Sequence, residues 1–278
     1  MYSNPTSFKP LKRLDTWLGA HQRLNRFAYA ELTRLLGGKK HGKSFPSIQQ
    51  ILQFEGYDGP DGIKVKTPAQ GEPWHFYNPT DSQDTQILSL LEGNYINLVK
   101  ALKKGDMTRA AFEAAWLAHG IVDGLTPAHH YPYEAELTRL RNGEGIETRT
   151  STKGKLVMPG DTMRQRFKNN WGMWGDKGLL STHMAFEFGV AVLIVPMRLR
   201  KQLPNAAELK LVSSKQGYLK LFRSKAVEIA QLDLYGRFYK AGWTPKLARE
   251  VRTKLAPIIV DVVMLSWYSA LLEAAKKR

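Results

Sequence analysis

Apolar positions along this chain recur at three-and-four spacing and hardly ever at strict alternation, so the sequence reads as helical. Leu14, Trp17, Leu18, His21, Leu24, Phe27, Ala28, Leu32 and Leu35 mark one face of a first helix, which Gly37 and Gly38 end. Two strong helical patterns cover 85–104 and 108–124, parted by the Gly105-Asp106 turn. A short pattern at 133–141 and another at 162–170 precede longer ones at 179–201, 218–239 and 245–277. Two stretches break the rhythm. Residues 39–80 carry Gly42, Gly56, Gly59, Gly62 and Gly71 with prolines from Pro46 to Pro79, and 142–161 is polar and rich in Gly, Thr and Lys. The expected fold is therefore all-α, a multi-helix bundle with long irregular loops, in one domain over 1–278, with a loop at 39–80 and an insert at about 131–182. The apolar stretches 186–195 and 256–272 fall short of the roughly 18 residues of a spanning helix and read as buried core helices.

Charge changes the picture of partners but not of fold. The 278 residues hold 41 Lys and Arg against 25 Asp and Glu, a formal net charge of +16. Such a balance favours anionic partners: nucleic acid, an acidic membrane surface or a phosphorylated small molecule. No cysteine is present, which excludes disulfides, thiolate metal sites and a cysteine nucleophile together. A metal would have to be held by the seven histidines and the carboxylates. Lys9, Lys12 and Arg13 are not followed by an apolar run, so no secretory signal is expected, and the default location is cytoplasmic.

The informative segment runs from Ala115 to His129. His119 and Asp123 are four apart, so a helix stacks them on one face, where nitrogen and oxygen can share an ion. Pro127 redirects the chain and places His129 just past the turn. His183 and Glu187 repeat the same spacing. His21 sits on the interior face of the first helix, and His75 lies in the loop Pro73-Trp74-His75-Phe76-Tyr77-Asn78-Pro79. Taken singly, each has an ordinary reading as a core histidine, a packing residue or a helix pair contributing about 0.2–0.5 kcal/mol. Together, five of seven histidines sit where they can supply ligands, and a pair at this spacing makes half a zinc site. His41, among lysines, is read as solvated, and His130 has no partner at helical spacing.

The order of these motifs resembles the zinc-dependent phospholipases C of bacteria, which are related to the S1/P1-type nucleases. The resemblance rests on the His75-Phe76-Tyr77-Asn78-Pro79 loop, on His119 through Asp123 and Pro127 to His129, on His183 with Glu187, and on His21. The closing pattern around Leu265-Ser266-Trp267-Tyr268 is also similar, so the likeness spans most of the chain. It implies an all-α fold around a metal cleft with two to three Zn2+ ions. One ion would take Asp61, His75, His119 and Asp123, a second His129, His183 and Glu187, and a third His21 with Asp123 as a shared carboxylate. Asp61 fits the family's distance ahead of the His-Phe loop, with Asp58 as its rival, and in the family this residue also acts on the attacking water. Three departures stand out. The third ion of the family takes an N-terminal amine, whereas here twenty residues precede His21. The stretch between His129 and His183 is longer. Asn78 stands where Asp is common, a change expected to affect loop support more than metal.

The implied reaction is phosphodiester hydrolysis, with glycerophospholipid as first substrate and single-stranded nucleic acid as alternative. A basic helical binding protein with a decayed metal site is the non-enzymatic alternative. The basic surface suits peripheral contact with an anionic membrane. Relatives of the resembled family are usually exported, which conflicts with the cytoplasmic default. Trp171 and Trp174, near Arg164, Arg166 and Lys168, are read first as core-filling residues and second as part of a cleft rim.

Overall fold

A computed structural model describes residues 19–37, 44–66, 75–198 and 204–276, and the architecture below is that of these residues. Among them there is no strand, and the fold is all-α. Helix α1 (Ala20–Leu35) crosses helix α14 (Ala256–Ala275), and α14 also packs on the antiparallel pair α4 (Gln86–Lys104) and α5 (Met107–Gly124). The α4–α5 connection is as short as the Gly105-Asp106 pattern predicts. Gly105 takes the left-handed conformation (φ 70°) that ends α4, and the Asp106 carboxylate caps α5 by accepting from Arg109 N at 2.9 Å.

The main core is built where these four helices meet. Trp267 of α14 is fully buried against Phe45 and donates its indole N–H to the Ala114 carbonyl of α5 at 3.0 Å. That bond satisfies the one polar atom of a large apolar side chain, so its area can be buried without a desolvation cost. A smaller cluster of Tyr133, Leu137, Leu140, Met158, Met173 and Leu179 sits under α6 (Tyr133–Leu140), α8 (Met163–Trp174) and α9 (Leu179–Ile194).

The 39–80 stretch is less irregular than its glycines and prolines imply. It contains α2 (Ile48–Gln53), a 3-10 turn at Gly56–Asp58 and α3 (Pro60–Lys66). Ser47 and Gln50 form a reciprocal capping box that starts α2, a short-range signal that outweighs the surrounding turn residues. Likewise 142–161 contains the five-residue α7 (Thr152–Leu156), and α10 (Ala206–Val212) lies where no helix was expected, started by an Asn205–Glu208 capping box. The expected single helix at 218–239 is two, α11 (Gly217–Gln231) and α12 (Leu234–Ala241), because Asp233 turns left-handed (φ 46°) between them. Helix α9 stops at Ile194, just before Pro196, whose ring cannot continue it. The final pattern begins as α13 (Pro245–Glu250) and reaches α14 through a π turn at Val251–Leu255. Pro257 has no N–H to return to that turn.

Two stretches, Met163–Ile194 and Pro245–Ala275, each contain an 18-residue window apolar enough by composition to cross a membrane (mean hydropathy 1.2 and 1.9), which a count of consecutive apolar residues does not reveal. The second is the core helix expected from sequence, with 72% of its most apolar window buried, whereas only 39% of the first is. Replacing Trp267 by Ala is expected to destabilise the fold by about 3–5 kcal/mol, measured by denaturant unfolding, because it leaves a large cavity and removes the indole bond to the Ala114 carbonyl.

Candidate metal centre

Asp123 occupies the last turn of α5, where helix α1, the α2–α3 segment and the turn after α5 converge. The chain leaves α5 through Leu125 and Thr126, the Thr126 hydroxyl donates back to the Val122 carbonyl at 2.7 Å, and a 3-10 turn at Pro127–His130 swings His129 back over the helix end. Gly124 makes this exit close-packed. A Cβ there would stand 2.6 Å from the tip of the Phe222 ring and 2.9 Å from the end of Ile87, so a larger residue would have to displace those side chains. The His-Phe loop is tied to the same place, since Tyr77 N donates to the His129 carbonyl at 3.1 Å.

Three imidazoles surround the Asp123 carboxylate. His21 Nε2 lies 3.3 Å and His129 Nδ1 3.5 Å from its Oδ1, and His119 Nε2 lies 3.2 Å from its Oδ2. Asp61 adds a carboxylate oxygen 3.6 Å from His119 Nε2. On the far side of His129, its Nε2 meets Glu187 Oε1 at 2.8 Å, and His183 Nε2 lies 3.2 Å from the same oxygen. The donor atoms thus fall into two groups, His21 with Asp61 and His119, and His129 with His183 and Glu187. Within each group they lie within 4.8 Å of one another, near enough to share an ion, and Asp123 stands between the groups. Ligands at about 2.0–2.1 Å in a tetrahedron sit about 3.3 Å apart. The separations of 3.2, 3.3, 3.5 and 3.6 Å match that spacing, and all but the His119–Asp123 distance of 3.2 Å are long for hydrogen bonds. His119 Nε2 and His129 Nδ1 are buried and make no hydrogen bond.

The partition differs from the one the resemblance implies. His21 meets the shared Asp123 carboxylate, as the resemblance implies, and its ring also stacks on His119 at 4.1 Å, so that it takes part in the first group as well. His75 does not join that group but lies beside the second, with its ring 5.2 Å from His129 and 4.3 Å from Phe76. The Tyr77–His129 backbone bond holds it there. Between the two rival aspartates, Asp61 faces His119, whereas Asp58 is exposed on the 3-10 turn. Asn78 keeps the loop in shape through bonds to Thr80 and Asp84. His130 does have a partner, since its Nε2 pairs with the Gly124 carbonyl at the end of α5 at 2.9 Å. His41 lies outside the described residues.

One residue has no signal in the sequence. Glu55, buried in the segment expected to be loop, meets His119 Nδ1 at 2.8 Å and is itself held by Asn25 Nδ2 at 3.1 Å. A carboxylate on the outer nitrogen of an imidazole keeps the proton there and aims the other nitrogen inward. Only the general rule that a ligating histidine needs such a partner could have led to it.

The electrostatics follow from this crowding. Burial alone would lower the His119 pKa, but Asp123, Glu55 and Asp61 outweigh it and push it up to about 10. For His129 burial, with neighbouring positive charge, wins over Asp123 and Glu187, and its pKa falls to about 4. Burial would raise Glu187, but the positive charge near it, that of His183 included, and its hydrogen bonds with His129 and His183 hold it well below the usual carboxylate range. A cleft of about 630 Å³, lined by Phe76, His129, Tyr133, Glu134 and Thr138 among others, reaches the second group. No family model, curated protein or solved structure matches this chain.

These shifts set a pH dependence for the metal-free protein. His119, raised from 6.5 to about 10, contributes stability that is full below pH 6.5 and is lost as pH rises through about 10. His129, lowered to about 4, must charge on unfolding, so its share is lost as pH falls from 6.5 towards about 4. Stability in chelator is therefore expected to peak near pH 6.5, and His119→Gln to flatten the alkaline limb, as read from denaturant midpoints across the pH range.

Proposed function

We propose that this protein is a zinc-dependent phosphodiester hydrolase of the phospholipase C type, the family its motifs resemble. The observation that carries the reading is the Asp123 carboxylate set between two buried histidine–carboxylate groups at tetrahedral ligand spacing. Histidine and carboxylate without thiolate suit Zn2+, and two groups sharing one carboxylate suit a pair of ions. His21, Asp61, His119 and Asp123 would hold one ion, and His129, His183 and Glu187 the other, with His75 beside the second. When bound, such ions lower the pKa of a coordinated water towards about 7 and offset charge on the phosphate oxygens.

The chain's own residues then divide the remaining work. Asp61 is the most open carboxylate of the cluster, with 17% of its side chain exposed, and takes the proton of the attacking water. Glu55 fixes the tautomer of His119. The buried walls exclude bulk water, which strengthens every charge interaction inside. Attack of water on phosphorus would break the bond to the glycerol oxygen, that oxygen would take up the proton given up by the water, and the products would be diacylglycerol and a phosphomonoester headgroup. Of the rings that line the cleft, Tyr77 and Tyr133 are buried and Phe76 stacks on Tyr133 at 5.0 Å, which leaves Tyr131 as the exposed ring. One exposed ring is a poor platform for successive bases, which favours the lipid over the single-stranded nucleic acid.

Elemental analysis combined with hydrolysis of phosphatidylcholine vesicles and single-stranded DNA tests the reading. About two zinc ions per chain with diacylglycerol release are expected. DNA cleavage without diacylglycerol moves the protein to the nuclease branch, and absence of metal and of both activities leaves a basic binding protein. Asp123→Ala is expected to remove metal and activity together. Asp61→Asn is expected to keep metal while lowering kcat by about 10²–10⁴-fold, and His130→Ala to leave metal content unchanged.

A further inference from the structure

Helix α8 is built inside out. Its buried positions are Asn169 and Met173, whereas Met163, Phe167, Trp171 and Trp174 face solvent, with exposures of 79% for Met163, 71% for Phe167 and 60% for Trp171. The core-filling reading of Trp171 and Trp174 is thus overturned. Beside Met173, which enters the smaller core cluster, the helix is held down by amide chemistry. Asn169 Nδ2 donates to the Pro159 carbonyl at 2.8 Å, and Asn170 exchanges bonds with both backbone groups of Met158 at 2.9 and 3.0 Å. Gln165 and Asn169 both donate to the Asn142 side chain. A helix that buries asparagine and exposes phenylalanine and tryptophan forgoes most of the hydrophobic contribution it could make, Met173 apart, and that inversion calls for an apolar partner outside the chain.

The exposed residues Met163, Phe167 and Trp171 recur every four positions and form one stripe, with Phe167 and Trp171 stacked at 6.2 Å. Arg164, Arg166 and Lys168 alternate with them and are all exposed, and Leu156 and Val157, exposed just upstream, follow Lys153 and Lys155. Helix α9 carries a second exposed row, Met184, Phe188 and Val192, again at four-residue spacing. That row stands one position on, about 100° round the helix, from the ligand pair His183 and Glu187.

We infer that the exposed apolar face of α8, with the Met184–Phe188–Val192 row of α9, is an attachment surface for an anionic bilayer. The mixture of Trp, Phe and Met with interleaved Arg and Lys is what an interfacial helix needs: rings and thioether enter the headgroup boundary while the cations reach lipid phosphates. Net charge of +16 supplies the long-range attraction. Nucleic acid would use Phe167 and Trp171 as stacking platforms but would leave Met163, Leu156, Val157, Met184 and Val192 without a role. The surface is independent of the proposed reaction, and its test reads binding and not hydrolysis.

Flotation of the full chain with phosphatidylcholine vesicles, with and without phosphatidylglycerol, tests it directly. The wild type is expected to float with the anionic vesicles. Phe167→Ser combined with Trp171→Ser is expected to lower partitioning by about tenfold or more, and Arg164→Glu with Lys168→Glu to remove the preference for phosphatidylglycerol. Val227→Ser, an exposed apolar residue on α11, is expected to change nothing. Brominated acyl chains should quench tryptophan emission in the wild type and less in Trp171→Phe. Circular dichroism keeps a misfolded double variant from counting. Equal flotation of the wild type and the folded double variant overturns the inference. So does absence of flotation, whether the same residues then govern single-stranded oligonucleotide binding, self-association or neither.

Discussion

Everything about this site depends on one carboxylate that should not be buried alone. Asp123 sits at the end of α5 with its side chain 2% exposed, and an isolated charge in such surroundings is too costly to keep. Its tolerance rests on the three imidazole nitrogens that face it from α1, from α5 and from the turn after α5. These contacts lie at the separation expected of ligands around one ion, and the nitrogens of the two groups converge on the same carboxylate. A divalent cation between them would balance the buried carboxylates without a proton on every imidazole, which is the physical case for a metal centre.

The same constraint explains why so much polar chemistry is gathered on α1 and in the segment that follows it. His119 can aim one nitrogen at Asp123 only if something receives the other, and Glu55 does so from a short stretch between α2 and the 3-10 turn. Glu55 in turn needs Asn25 from α1. Asp61 is carried in at the first turn of α3. A region with the glycine and proline content of a surface loop is thus folded into short helical pieces, and it delivers two carboxylates, Glu55 and Asp61, to the buried His119.

The outer surface follows a different logic. Around the metal centre, charge is buried and must be balanced from within. On α8, apolar surface is left outside and the amides of Asn169 and Asn170 anchor the helix. Helix α9 joins the two regimes, since it turns His183 and Glu187 inward and Met184 and Phe188 outward. Contact with a bilayer on the outer face would therefore be made by the element that bears two of the ligands.

Local geometry is what the sequence by itself determined. Three-and-four periodicity marked α1, α4, α5, α9 and α14, because helix faces depend only on residues a turn apart. The same rule paired His119 with Asp123 and His183 with Glu187, since four residues on a helix always stack. It also put Trp267 in a core helix. Helix breaks were less legible: the left-handed turn at Asp233 and the capping boxes at Ser47 and Asn205 are single-residue effects that periodicity averages away. Which distant histidines meet was decided only by tertiary packing. The crossing of α1 over the end of α5 stacks His21 on His119, and the backbone bond from Tyr77 holds His75 beside His129. Packing alone brought Glu55 to His119, chose Asp61 over Asp58, and left Phe167 and Trp171 outside. An apolar residue in a helix carries no mark of whether its face meets protein or something else, because the hydrophobic effect has no direction of its own.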